Sequence, residues 1–533
     1  MRKGSWTVLA LIVVFVVWAA APVAVAEKPR RGGVLNWLDY ADPRSLDIHA
    51  ESPLAVQQAL AGVYSGLLQY SPQDPSKIIP DLATSYDVSD GGTVYTFHLR
   101  KGVKWHDGKP FTAADVKATF DRVLDPKFRS PRCGSTLLKP IVKSVQVVDD
   151  YTVKFTLKFP AGTFIPSVAS AWCRIAAKHI LEKYGNLRTA KTAIGTGPFK
   201  LKRYVRRSVI EWVRNKDYFI KGLPYLDGVK QFILVGRTTQ LAAAKAGKVG
   251  LWLTWPPLPK SLAQEIKKAR PEEVDIYQWS INTVYEVYLN IDKPPFNIPD
   301  MRRAVHLAID RQEIIDKVFE GSGVPCAILD PKLFGDFALP MEEVMKTPGC
   351  RQPKDKDIAE ARRLVRKHYP NGLDVEIATR AVANYVDRTQ LLIQHLRRIG
   401  IRGKLKTYES AVGFRQWGKR NFTIIGSQDT AMIIPDPHGA FALLWHSKGG
   451  RNYPRWKSAR VDALVGKAMR ETDRAKRVKM YHELQRILLR EPLPTITVAW
   501  MEGWFFKDRR VKNYRPSCTV YDNNTFQNVW LSK

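Results

Sequence analysis

The stretch YTFHLRKGVKWHDGKPFTAADV, residues 95–116, restricts the fold more than any other part of the chain. Tyr95, Phe97 and Leu99 alternate with Thr96, His98 and Arg100, the two-residue period of a half-buried strand with His98 on its polar face. Asp107-Gly108 is turn chemistry, the glycine supplying the positive φ of a tight turn. Thr112 is an N-cap, and Asp115 three residues on is placed like the acidic partner of a capping box. Strand, turn and capped helix follow one another directly. The same residues bring His98, His106 and Asp107 close together, which invites a metal or acid–base reading. Each of them already has a local structural task, so architecture is the preferred explanation.

The pattern on either side is mixed α/β. GGVLNWL reads as a strand and residues 53–70 as a helix. Strands predominate from 80 to 160, with pairs turning at Asp90-Gly91-Gly92 and at Asp149-Asp150, and another hairpin spans 194–215. A Pro-rich break, LTWPPLPK, occupies 253–260. From about 280 the texture changes to strand, loop and helix. MRRAVHLAIDRQEIIDKVF predicts one amphipathic helix, and further helices are predicted over 355–368, 383–399, 458–470 and 473–490. TITVAW and GWFF read as short closing strands. The strand-rich and helix–strand stretches suggest separate lobes, and 533 residues leave room for two or three domains.

Residues 1–26 stand apart. Arg2 and Lys3 precede an apolar run that ends in Ala24-x-Ala26, the pattern of a cleaved signal peptide, with the mature chain expected from Glu27. Five cysteines (Cys133, Cys173, Cys326, Cys350, Cys518) and no CxxC argue against zinc or iron–sulfur ligation. Cys133–Cys173 and Cys326–Cys350 are the nearest pairs in sequence for disulfides, with Cys518 left over, but spacing alone does not fix the pairing. The net charge of +33 raises nucleic acid, an anionic membrane or an acidic ligand. Lys and Arg are dispersed among acidic residues and no nucleic-acid reader is present, so solvated basic surface is the better account.

Catalytic templates fail one after another. There is no G-x-S-x-G elbow and no P-loop, and GTGPFK lacks the third glycine of a dinucleotide fingerprint. HELQR, residues 482–486, has Arg486 where a zincin needs its second histidine. The chain is read as a non-enzyme without cofactor or metal.

Five collinear motifs resemble the solute-binding proteins of bacterial ABC importers, family 5, the peptide-, nickel- and opine-binding class. They are LATSYDVSDGGTVYTFHLRKGVKWHDGKPFTAADVKATFDRV, then IGTGPFKLKRY with RNKDYF, then PPFNIPDMRRAVHLAIDRQEIIDKVFEGSGVP, PDPHGAFALLW, and VDALVGKAM with ETDRAKRVKMYHELQRIL. The resemblance implies an α/β, two-lobed periplasmic binding protein of the Venus-flytrap, cluster C type, monomeric, with an inserted subdomain in the first lobe. The first lobe would comprise 27–50, 186–275 and 491–533, its insertion 51–185, and the second lobe 276–490. A small solute (oligopeptide, opine, sugar or metal complex) would be held between the lobes and delivered to a membrane permease. A relative of the same fold acting as a chaperone or signalling receptor is the alternative.

In peptide-binding members an aspartate just before a D-P-containing motif holds the peptide ammonium. Here the motif reads IIPDP and Ile433 takes that position, with Thr430 where a tryptophan is usual. Without a carboxylate, a buried ammonium has no charge-assisted anchor. Asp429 is a substitute if the loop differs. Tyr40, Gln57 and Trp255 complete the candidates, chosen by position, while Asp436 is read as a turn or helix cap.

Overall fold

Two long antiparallel strands, Val274–Leu289 and Thr495–Asp508, form the spine of the molecule, here described from a computed structural model. The structure describes residues 27–51, 53–74, 76–252, 257–517 and 524–533. The two spine strands share one 11-stranded sheet. On one side lie Leu251–Trp252, Val34–Asp39, Gly228–Ile233, Val209–Arg214 and Phe199–Val205. On the other lie Ile424–Ala431, Leu373–Arg380 and Ile401–Tyr408. Val34–Asp39 runs parallel to Gly228–Ile233, and Leu373–Arg380 runs parallel to both of its neighbours. Helix Ala383–Arg397 makes the crossover between Leu373–Arg380 and Ile401–Tyr408, as parallel pairing demands. The spine register breaks between Ser280 and Val284, so each half of the spine belongs to a different half-sheet.

Apolar burial follows this division. One cluster joins Leu35, Trp37, Phe97, Phe155 and Trp212 to Phe526. Two others gather on the far side of the spine, around Phe441, Trp445 and Trp500 and around Leu289, Leu307 and Ile377. A separate four-stranded antiparallel sheet contains Ala83–Ser89, Val94–Leu99, Thr152–Leu157 and Val142–Asp149. Phe97, Phe155 and Phe120 meet edge to face under it, fixing helix Ala113–Leu124 to the sheet.

The 95–116 stretch folds as its pattern predicts. Thr112 and Asp115 form a capping box, and the Asp115 carboxylate also accepts from the Trp105 indole and from Lys178 N–H. His98 contacts Asp87 at 2.7 Å, His106 binds the Gly197 carbonyl at 3.0 Å, and Asp107 contacts His179 at 2.8 Å. Three residues that look like one site go to three different partners.

Three elements differ from expectation. The helix predicted over 53–70 covers only Leu54–Leu60. Beyond it, the carbonyls of Gly62 and Val63 accept from Phe199 and Gly197, so the backbone is paired with another segment instead of continuing the helix. Gly62 permits this approach, since a Cβ there would lie 2.9 Å from the Trp212 ring. The single helix predicted through 301–319 is two, Pro299–Ala308 and Arg311–Val318. Asp310 breaks it by capping the second helix through Glu313 N–H, while its own N–H donates to His395 Nδ1. The two closing strands are one, extended because it pairs along almost the whole spine.

Disulfides join Cys133 to Cys173 and Cys326 to Cys350. By loop closure each is worth about 2–4 kcal/mol. Cys518, Trp255 and residues 1–26 lie outside the described residues. Among those described, no helix is long and apolar enough to cross a membrane.

Candidate functional site

In open α/β sheets, ligands collect beyond the carboxyl ends of parallel strands. Three such ends converge here. Tyr40 follows Val34–Asp39, Arg380 closes Leu373–Arg380, and Gln428, Asp429 and Ala431 lie at the end of Ile424–Ala431. All five residues line a cavity of about 810 Å³. Arg132, Thr136, Leu137, Thr163 and Ser167, from a different part of the chain, line it as well. A second cavity of about 470 Å³ shares Arg380, Tyr385 and Asp429 with the first and runs on toward Phe319, Trp504 and Lys260. Together they make one cleft.

Among the candidates named from sequence, Tyr40, Asp429 and Ile433 line the larger cavity. Tyr40 is anchored by its N–H, which donates to Asp39 at 2.7 Å. Burial pushes the Asp39 carboxyl up to about 7, against the pull of hydrogen bonds from Tyr40 and Gln231. Ile433 forms apolar wall between Met432 and Ile434, so hydrocarbon stands where the resemblance puts an ammonium-holding carboxylate.

Asp429 faces the cavity, but its charge is committed. Arg388, on helix Ala383–Arg397, donates to both carboxylate oxygens at 2.6 and 3.3 Å, and both side chains are at most 4% exposed. The Arg388 guanidinium also lies 4.6 Å from the Tyr285 ring and 4.3 Å from that of Tyr385.

Thr430 and Gln57 are not among the lining residues. Strand alternation points Thr430 the other way, where its hydroxyl donates to the buried Glu286 at 3.1 Å. Burial first, and then the neighbouring Asp429 charge, hold the Glu286 carboxyl well above the usual range. Gln57 is fully buried and donates to the Ile48 carbonyl, while Pro53 and Leu54 at the start of its helix reach the cavity. Asp436 caps Pro437–Leu444 through His438 N–H and pairs with Arg477 at 3.0 Å, as a cap is expected to do.

Sequence reasoning missed Arg132, Arg380, Phe414, Lys448 and Arg451, which all line the cavity. The guanidinium carbons of Arg380 and Arg451 lie 4.6 and 5.0 Å from the centre of the one Phe414 ring. Arg380 also stacks on Tyr385 at 4.4 Å, and Arg451 donates to the Tyr453 hydroxyl. No local spacing links these residues. The strand Leu373–Arg380, whose end carries Arg380, was not read from the sequence either.

Comparison with known proteins agrees with this geometry. The family model described as "Bacterial extracellular solute-binding proteins, family 5 Middle" matches residues 77–452. The chain is 30% identical over 485 residues to heme-binding protein A of Haemophilus influenzae, covering 86% of this chain and 85% of that one. It is also 30% identical to di/tripeptide-binding protein 1 of Pseudomonas aeruginosa, over 88% and 89% of the two chains. Among solved structures it resembles the ABC transporter-associated periplasmic binding protein DppA from Helicobacter pylori, in complex with the peptide STSA. That match has a TM-score of 0.77 and 26% identity, over 95% of this chain and 99% of the other.

Proposed function

The chain belongs to the bacterial extracellular solute-binding proteins of family 5, and on that premise we propose that the 810 Å³ cavity is where its solute is held between two lobes. As a substrate-binding protein of this family, it captures a small solute outside the cytoplasm and delivers it to an ABC importer. We assign 27–50, 186–275 and 491–533 to the first lobe, 51–185 to its insertion and 276–490 to the second. The spine strands cross from one lobe to the other, and the register break at Ser280–Val284 is a natural hinge. The signal peptide is taken to end at Ala26, giving a periplasmic mature chain.

The observation that carries the reading is the makeup of the cavity wall. Arg132, Thr136 and Ser167 come from the insertion, and Arg380, Asp429 and Arg451 come from the second lobe. A solute touches both sets together only when the lobes are closed, so its differential affinity is what stabilises closure. No covalent step is required. Tyr40, Asp429 and Ile433 serve as wall residues, with Asp429 acting through Arg388 rather than as a free anion. The relatives' roles favour a peptide-like or other small organic solute and favour transport over chaperone or signalling duty.

The test is a thermal-unfolding screen against peptides, opines and oligosaccharides. A bound solute at a hundred times its Kd adds about 2.7 kcal/mol and raises the melting temperature. A flat response across the whole panel would count against the proposal.

A further inference from the structure

We propose that the solute is a di- or tricarboxylate whose negative groups bridge arginines of opposite lobes, and that this neutralisation drives closure. The inference rests on the solute-receptor reading above and narrows its ligand class.

The first observation is an imbalance of charge. Asp429 is the only carboxylate among the described residues lining the cavity, and Arg388 takes its charge. Arg132, Arg380, Lys448 and Arg451 line the same cavity, and none forms an ion pair with a described residue. The Nε atoms of Arg132 and Arg380 are buried without a hydrogen-bond partner among the described residues. An orphaned guanidinium donor in a partly buried wall is costly unless an acceptor arrives with the ligand.

The second observation is how the cations are arranged. Arg380 and Arg451 are held against one aromatic ring, Phe414, at 4.6 and 5.0 Å. Like charges are brought that close only at a cost, which a carboxylate between them would remove. The nearby Glu286 carboxyl is not among the residues lining the cavity, and burial followed by the Asp429 charge holds it above the usual carboxylate range. Arg132 belongs to the proposed insertion, lies over the Trp172 ring and lines the same cavity. A single anionic group could satisfy one side only, whereas two carboxylates on one solute satisfy both, each presenting the planar acceptor pair that suits a guanidinium fork. The apolar wall at Ile433 offers nothing to an ammonium. The solute's charge is therefore negative at both ends, not zwitterionic.

The experiment titrates the mature protein, at one fixed ionic strength, with three probes of one backbone. N-succinyl-trialanine carries two carboxylates and no ammonium, trialanine carries one of each, and trialanine amide carries only the ammonium. Calorimetry reads affinity and small-angle scattering reads closure. The expected result is closure by N-succinyl-trialanine with at least tenfold tighter binding than trialanine, and no binding of the amide. Arg132→Gln and Arg451→Gln should each weaken the succinyl probe at least tenfold. Their unliganded circular dichroism and melting serve as the fold check, and Arg451→Lys should restore part of the affinity. Equal or tighter binding of trialanine or its amide, with closure, would overturn the dianionic class and leave the receptor reading standing. So would undiminished succinyl binding in both glutamine variants. If none of the three probes closes the chain and it retains no solute from its own host, both readings fall.

Discussion

At Asp429 the carboxylate is spent before any solute arrives, and the cost of disturbing it follows from what it leaves behind. Asp429→Asn strands the fully buried Arg388 charge, and removing one partner of such a pair costs about 3–5 kcal/mol. Replacing Arg388 and Asp429 together by methionine should recover most of that loss, and urea unfolding measures both. Asp39 gives a pH-dependent counterpart. Its carboxyl titrates at about 7 in the fold and at 3.8 otherwise, so the folded state keeps the proton while the unfolded chain releases it. That contribution is fully present below pH 3.8 and is lost as pH rises to about 7. Asp39→Asn does not titrate, so it should gain on the parent between pH 4 and 7, by up to about 4 kcal/mol, and hold a constant difference above that. Unfolding midpoints at pH 5, 6, 7 and 8 read this, and a difference that shrank with rising pH would refute it. Asp436 as a cap and Thr112 with Asp115 as a capping box were legible, because capping is a rule of neighbours in sequence. Arg132, Arg380 and Arg451 were not, because only the fold brings them to one cavity.

Elements were legible wherever local pattern and tertiary need agree. The hairpins at Asp90-Gly91-Gly92 and Asp149-Asp150 and the four helices predicted after residue 350 follow their periodicity, whereas helices Ser410–Gly418 and Pro437–Leu444 were not read from the sequence. The failures at Leu60 and Asp310 come from long-range partners, Gly197 with Phe199 in one case and His395 in the other. Another long-range contact makes a prediction. Gly162 N–H donates to the Met469 carbonyl at 3.1 Å, and Arg470 lies 4.6 Å from the Phe159 ring, joining the segment 159–162 to the end of helix Ala459–Arg470. A Cβ on Gly162 would sit 2.5 Å from the Glu471 carbonyl oxygen, so that approach is open to glycine alone. Gly162→Val should leave the circular dichroism unchanged and weaken solute binding at least tenfold, with the scattering radius fixed at its open value. A variant that closes normally would show that the contact is incidental to closure.

Across the whole molecule, the spine ties two sets of cores into one sheet while leaving a cleft lined from both sides. The change of texture near residue 280 falls within the spine strand Val274–Leu289, beyond which the sheet continues through Ile424–Ala431, Leu373–Arg380 and Ile401–Tyr408. The cleft's charge was not legible, since +33 spread over the surface hides the few arginines that face inward. The same surface charge would speed encounter with an anionic solute. On this reading the chain holds one small solute between its lobes. Native mass spectrometry tests it most directly, on mature protein incubated with small-molecule extract of the bacterium that encodes it and then dialysed. A single additional mass is expected, one per chain, small enough for 810 Å³, released on unfolding and reduced in Gly162→Val. The bare chain mass alone, with an unshifted melting temperature in the same extract, would contradict it.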